Sequence, residues 1–220
     1  MLLVAAQTEA AGLIERLEKS YLSIEDFEAN FEQIETHLLL NRVKKTTGII
    51  YSLPLGKIFW HTQHPSPLKV ISNGRDVWMF DPKAPQVIHE RWEGLDDQTR
   101  LALLFLRREG KFKDHFKTFE NLKLQEITLI PKKAIGISRI IVRLFAYPSE
   151  KGPERKEDAW LFFKKITFYF QLERKTDLIL EAVKFNQKLM QKHIKNPIDS
   201  SIDHNFDFIN PLKTLEKKSK

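Results

Sequence analysis

The chain has 220 residues, 42% of them hydrophobic, 11% aromatic and 30% charged, with a net charge of +7 and no cysteine. This suits one well-buried globular domain, excludes disulfides, thiolate zinc sites, thiol catalysis and a lipidated cysteine, and leaves no apolar run near the roughly 20 residues of a membrane-spanning helix. Lysines are scattered apart from a concentration over 213–220, and no basic helix with interleaved stacking aromatics occurs, so nucleic-acid binding is not expected.

Residues 1–9 begin Met1-Leu2-Leu3-Val4-Ala5-Ala6, an apolar run followed by small residues, which fits either a signal-peptide remnant or the plain start of a cytosolic chain. A single domain is expected over 10–212 and a flexible basic tail over 213–220. Ala10, Leu13, Ile14, Leu17 and Tyr21 recur at helical spacing, with Glu15, Arg16, Glu18 and Lys19 between them, and predict a helix over 10–22 with one face to cover. The period then changes to two. Phe27, Ala29 and Phe31 alternate with Glu28, Asn30 and Glu32, so a strand runs from Phe27 toward Leu40 and offers its sheet to the helix.

Over 48–82 an antiparallel meander is expected, with strands Ile49–Leu53, Lys57–Thr62, Leu68–Ser72 and Val77–Phe80. Pro54-Leu55-Gly56 and Asn73-Gly74 supply the turns, and Pro65 and Pro67 force an exposed connection. Tyr51, Phe59, Trp60, Trp78 and Phe80 give it unusual bulk, which fits either an ordinary β core or the wall of an apolar cavity. Val87 and Ile88 extend a further strand. In the helix predicted over 100–108, Leu101, Leu103, Leu104, Phe105 and Leu106 crowd two turns, as in a buried packing helix or a lid hinged at Gly94 and Gly110. Short strands recur at 116–119, 122–131, 137–145, 159–171 and 178–185. Glu173 to Asp177 reads as a turn, 147–158 as a solvated loop, and Phe206 and Phe208 mark a last strand. The fold class is mainly β, with a large antiparallel sheet and few helices.

Catalytic motifs are absent: there is no nucleophile elbow, phosphate loop, dinucleotide fingerprint or His-Glu-x-x-His. His61 and His64 straddle a strand end before Pro65, and Asp76, Asp81 and Asp96-Asp97 sit beside turns where aspartate is favoured for backbone reasons. No enzyme activity, metal or cofactor is expected.

Phe27-x-Ala29-x-Phe31-x-Gln33, Gly48 through Leu53-Pro54, Ile58-Phe59-Trp60 with Pro65, and Val70-Ile71-Ser72-Asn73-Gly74-x-x-Val77-Trp78-x-Phe80-Asp81-Pro82 with Gln86 resemble the LolA family of periplasmic lipoprotein carriers. Leu129-x-Pro131-Lys132, Asn196-Pro197-x-Asp199 and Phe206-Asp207-Phe208 with Pro211 extend the resemblance over most of the chain. It implies an unclosed antiparallel β-barrel with helices over an apolar cavity for lipoprotein acyl chains. Together with strand alternation, it assigns Phe27, Phe31, Ile58, Trp60, Val70, Trp78 and Phe80 to the cavity wall and Leu101, Leu104 and Phe105 to the lid. The implied partners are acyl chains or another lipid, an inner-membrane lipoprotein-releasing transporter and an outer-membrane acceptor, with the protein acting as a monomer in the periplasm. A lipid- or lipoprotein-sensing regulatory module on the same half-barrel is the alternative. Many members carry an arginine beside the proline of the first meander to tie down the lid. Here Leu53 precedes Pro54, so the latch is lost or lies elsewhere.

Overall fold

The computed structural model describes residues 12–83, 87–95, 105–107, 112–133, 136–147, 159–171 and 173–186. Apolar residues at helical spacing form α1 (Leu13–Ser23), with Leu13, Ile14, Leu17 and Tyr21 buried on one stripe and Leu22 turned out to solvent. The other dominant element is the sheet. Its strands are β1 (Phe27–His37), β2 (Arg42–Leu53), β3 (Lys57–His64), β4 (Leu68–Asn73), β5 (Asp76–Phe80), β6 (Val87–Arg91), β7 (Phe116–Asn121), β8 (Glu126–Pro131), β9 (Ile137–Tyr147), β10 (Trp160–Phe170) and β11 (Arg174–Phe185).

All neighbours are antiparallel, and the order is β6-β5-β4-β3-β2-β1-β11-β10-β9-β8-β7. Neighbours in this order are consecutive in sequence except at the middle, where β1 meets β11 with Phe31 opposite Leu180. The two ends of the order, β6 and β7, do not pair with each other, so the barrel is unclosed. α1 lies across the concave face against β10 and β8.

Two fastenings hold α1 there. Gly12, at the helix N-cap, brings no side chain, and the Glu120 carboxylate of β7 accepts from the backbone N–H groups of Leu13 at 2.6 Å and Ile14 at 3.3 Å. A carboxylate at this position satisfies orphan donors and faces the positive end of the helix dipole. Farther along, the Ser20 hydroxyl accepts from the Leu161 N–H at 2.9 Å and donates to the Arg16 carbonyl at 2.9 Å, joining helix to β10. Glu120→Ala is expected to lower stability by about 1 kcal/mol, seen as a fall of about 2–4 °C in thermal unfolding. Glu120→Gln, which keeps an acceptor, recovers part of it. An unchanged Tm in the alanine variant would show that the cap contributes nothing.

Several sequence expectations shift. The turn expected over Glu173 to Asp177 is confined at this end to Glu173, at φ 54°: β11 begins at Arg174, and Arg174 to Asp177 pair with His37 back to Ile34. These polar residues stay in the ladder because Asp177 is satisfied there, accepting from Thr167 Oγ1 at 2.6 Å and facing Lys165 Nζ at 3.1 Å. Likewise β2 starts at Arg42, far before Ile49, because its polar first half pairs with β1. In place of the strand expected over 122–125, Leu122 to Gln125 form the turn between β7 and β8, with Gln125 at φ 51°. The helix expected over 100–108 is seen as a helical turn at 105–107; the rest of it, residues 1–11, most of the 147–158 loop, the strand near Phe206 and the tail lie outside the described residues.

Candidate functional site

Strand register fixes which side chains share the concave face. Phe27, Ala29 and Phe31 of β1 stand opposite Ser52, Ile50 and Gly48 of β2. Those three stand opposite Ile58, Trp60 and Thr62 of β3, which in turn face Ser72, Val70 and Leu68 of β4. Val77 and Met79 of β5 continue the same rows. On the far half, Leu178 and Leu180, Ile166 and Phe168, Ile140 and Val142, and Ile127 and Leu129 complete an apolar concave surface.

The cover over this surface is uneven. α1, the turn at 105–107 and the short helix Phe112–His115 bury the far half, where Phe105 is fully enclosed, with its ring centroid 5.4 Å from Phe112, 5.9 Å from Phe168 and 6.4 Å from Phe163. Toward β3–β5, Trp60, Leu68, Val70 and Met79 are only half-buried. The concave face thus forms an apolar groove that is enclosed toward β8–β10 and, among the described residues, only half-covered toward β3–β5. Its wall is built around Gly48: a Cβ there would stand 2.0 Å from the His61 carbonyl oxygen and 2.7 Å from the Phe31 ring. Only glycine lets Phe31 lie over β2 and reach Trp60, at 4.3 Å between ring centroids.

The side chains of Ser52 and Arg107 help tie the turn at 105–107 to its surroundings. The fully buried Ser52 hydroxyl donates to the Leu106 carbonyl at 2.8 Å. The Arg107 guanidinium donates to the Gly74 carbonyl at 3.2 Å and lies 4.0 Å over the Trp92 ring. Gly74 is shaped for this close packing, with φ 95° and room for no Cβ, since the Leu55 carbonyl oxygen would be 2.1 Å away. The Asn73 side chain pins the same turn by accepting from the Arg75 and Asp76 N–H groups at 2.9 and 2.7 Å.

The opposite face of the sheet is polar over β8–β11. A shallow cleft of about 160 Å³ there is lined by Glu126, Arg143, Lys165, Thr167, Tyr169 and Asp177, among others. Burial pushes the Asp177 carboxyl up, but hydrogen bonds from Thr167 and Lys165 and the charges of Lys165 and Lys175 outweigh it and hold it below its ordinary value. Arg143 pairs with Glu126 at 3.4 Å. These charges are spent on one another. His61 also lies off the groove, where burial and the Lys69 charge lower its pKa. No group of three or more His, Asp or Glu able to hold a metal occurs among the described residues.

Of the residues assigned from the sequence, Phe27, Phe31, Ile58, Trp60 and Val70 share the concave face, and Phe105 sits in its cover. Leu101 and Leu104 lie outside the described residues. Trp78 and Phe80 are corrections: Trp78 stands opposite Ile71 and Phe80 opposite Lys69, on the other face, where Trp78 stacks on His89 at 5.2 Å. The two-residue loop Gly74-Arg75 makes Asn73 the last residue of β4 and Asp76 the first of β5, which brings Ser72 opposite Val77. Alternation then turns Val77 and Met79, not Trp78 and Phe80, toward the groove. Leu68 and Met79 were missed, although this same count from Asn73-Gly74 finds both. Ser52 and Arg107 were missed too; their contacts span 54 and 33 residues and leave no local pattern.

Residues 23–146 match the family model described as outer membrane lipoprotein carrier protein LolA. An outer-membrane lipoprotein carrier protein of Hahella chejuensis is 23% identical over 198 residues, covering 88% of this chain and 88% of that protein. The one from Shewanella sediminis is 26% identical over 115 residues, 52% of this chain and about half of the relative's own length, at 54%. A solved LolA superfamily protein from Nitrosomonas europaea is 13% identical, with 80% of this chain and 92% of that chain covered at a TM-score of 0.48.

Proposed function

Because the chain belongs to the LolA family of outer membrane lipoprotein carrier proteins, we propose that it binds lipoprotein acyl chains in the groove between its concave face and its helices and carries them without catalysing a reaction. One observation supports this above all: a largely apolar concave face, interrupted by the buried hydroxyls of Ser52, Thr62 and Ser72, on which Trp60, Leu68, Val70 and Met79 are left half-covered beside an enclosed far half. Acyl chains offer little to hydrogen-bond, so such a surface holds them by area alone, at about 0.8 kcal/mol for each CH₂ buried. Phe27, Phe31 and Ile58 form the floor and Phe105 belongs to the lid, to which the sequence also assigns Leu101 and Leu104. The route is across the periplasm, from an inner-membrane releasing transporter to an outer-membrane acceptor, with the carrier a monomer. A single domain over 10–212 does this work.

Release requires the cover to move, and Ser52 and Arg107 are the ties that resist it. With Leu53 beside Pro54, the latch is assigned to Arg107 on the cover itself, which donates to the Gly74 carbonyl. A fluorescent triacylated peptide loaded into the protein tests both statements. The wild type should form a soluble complex. Each of Ser52→Ala and Arg107→Ala removes a hydrogen bond worth about 1 kcal/mol, so exchange of the bound peptide should quicken by about threefold to tenfold. No complex would refute the carrier reading, and unchanged exchange would refute the ties.

A further inference from the structure

The β1–β2 hairpin ends in three consecutive exposed leucines. Leu38, Leu39 and Leu40 are 58%, 69% and 63% exposed, and Val43 beside them is 68% exposed. They occupy the turn between β1 and β2, a position where polar residues are the rule. The tip cannot fold back to hide them. The Leu38 N–H donates to the Glu173 carbonyl at 3.1 Å, the Asn41 N–H donates to the Leu38 carbonyl at 3.2 Å, and Asn41 closes the turn with φ 46°. The leucines are therefore presented on a braced turn.

Charge at the same end of the sheet is one-sided. By the antiparallel order, the start of β2, the end of β5, the end of β8 and the start of β11 all lie at that end. They bring Arg42, Lys83, Lys133 and Arg174 there, against the exposed Asp81 and Glu173. Arg42 adjoins the leucines, and Arg174, which lies over the Phe170 ring, starts the neighbouring strand, while Lys83 and Lys133 sit farther along the same end of the sheet. An apolar tip on a net cationic end has the complementarity of a bilayer surface, whose phosphates meet the cations while the leucines enter the boundary with the acyl region.

We propose that the Leu38–Leu40 tip is a docking point for an anionic lipid bilayer, by which the protein touches the membrane end-on. The contact is shallow and reversible, since three leucines do not anchor a protein and its electrostatic part is screened by salt. The inference does not depend on what the groove holds.

Flotation with protein-free vesicles tests it, using phosphatidylcholine alone and phosphatidylcholine mixed with phosphatidylglycerol. The wild type should float with the anionic vesicles, less so at high salt. The variant Leu38→Ser/Leu39→Ser/Leu40→Ser should lose about tenfold or more in partitioning while taking up acylated peptide as before. All three positions are exposed, so the fold is expected to survive, and a thermal unfolding curve verifies it. The chain has no cysteine, so Leu39→Cys carrying an environment-sensitive dye gives an independent readout, a blue shift on adding anionic vesicles. Equal flotation of wild type and variant, or no flotation with either vesicle, overturns the proposal. Binding that appears only with native membranes and vanishes after their proteins are digested also overturns it, and makes the tip a protein-docking site.

Discussion

Replacing Gly48 with alanine is expected to destabilise the protein by about 3 kcal/mol or more, an effect normally reserved for large changes in a packed core. The reason is geometric. The offending atom is Cβ itself, 2.0 Å from a backbone carbonyl that belongs to the β2–β3 ladder, so no rotamer relieves it. Either the pairing opens at His61 or the Phe31 ring leaves its place over the strand. Gly48→Ala should then suffer most of the loss shown by Gly48→Val, unlike an ordinary cavity-filling series, in which each added methyl adds its own cost. Thermal unfolding should show both variants down by about 6–12 °C. An alanine variant as stable as the wild type would contradict the packing of Phe31 against β2 and, with it, the wall on which Trp60 rests.

The second large effect concerns loading. Trp60→Asp and Val70→Asp each set a carboxylate at a half-buried concave position that an acyl chain would have to cover. Desolvating an unpaired polar group costs about 2 kcal/mol or more, so uptake of acylated peptide should weaken by at least about thirtyfold. Phe80→Asp is the matched control, half-buried in the same meander but on the other face. It should load normally. Equal losses in all three would mean that the aspartates act by general destabilisation and not through the groove, and comparison of their unfolding midpoints separates the two.

Much of this architecture is legible in the residues, for identifiable reasons. The change from period 3.6 to period 2 between Tyr21 and Phe27 marks the passage from helix to sheet, and the helix buries the stripe that its spacing picks out. The meander is legible because Pro54-Leu55-Gly56 and Asn73-Gly74 punctuate it. Where the sequence misleads, tertiary pairing overrides local pattern. Arg42 to Thr47 carry little hydrophobic alternation and become strand because β1 offers a full ladder. Arg174 to Asp177 resemble a turn in composition yet sit between β1 and β10, the last of them held by Thr167 and Lys165. Trp78 and Phe80 differ from the expectation for another reason: their bulk suggests a cavity wall, but the two-residue loop after Asn73 decides the face and turns them away from it. The ties from Ser52 and Arg107 join residues far apart in the chain, and no local pattern contains them.

The central claim is that the half-covered apolar face holds acyl chains. Native mass spectrometry of the protein purified without detergent from cells, compared with Trp60→Asp prepared alongside, tests it most directly. The wild type should carry adducts with masses of phospholipid or lipoprotein acyl species, these should disappear on organic extraction, and the variant should be bare. A wild-type protein of bare mass that also refuses acylated peptide would contradict it.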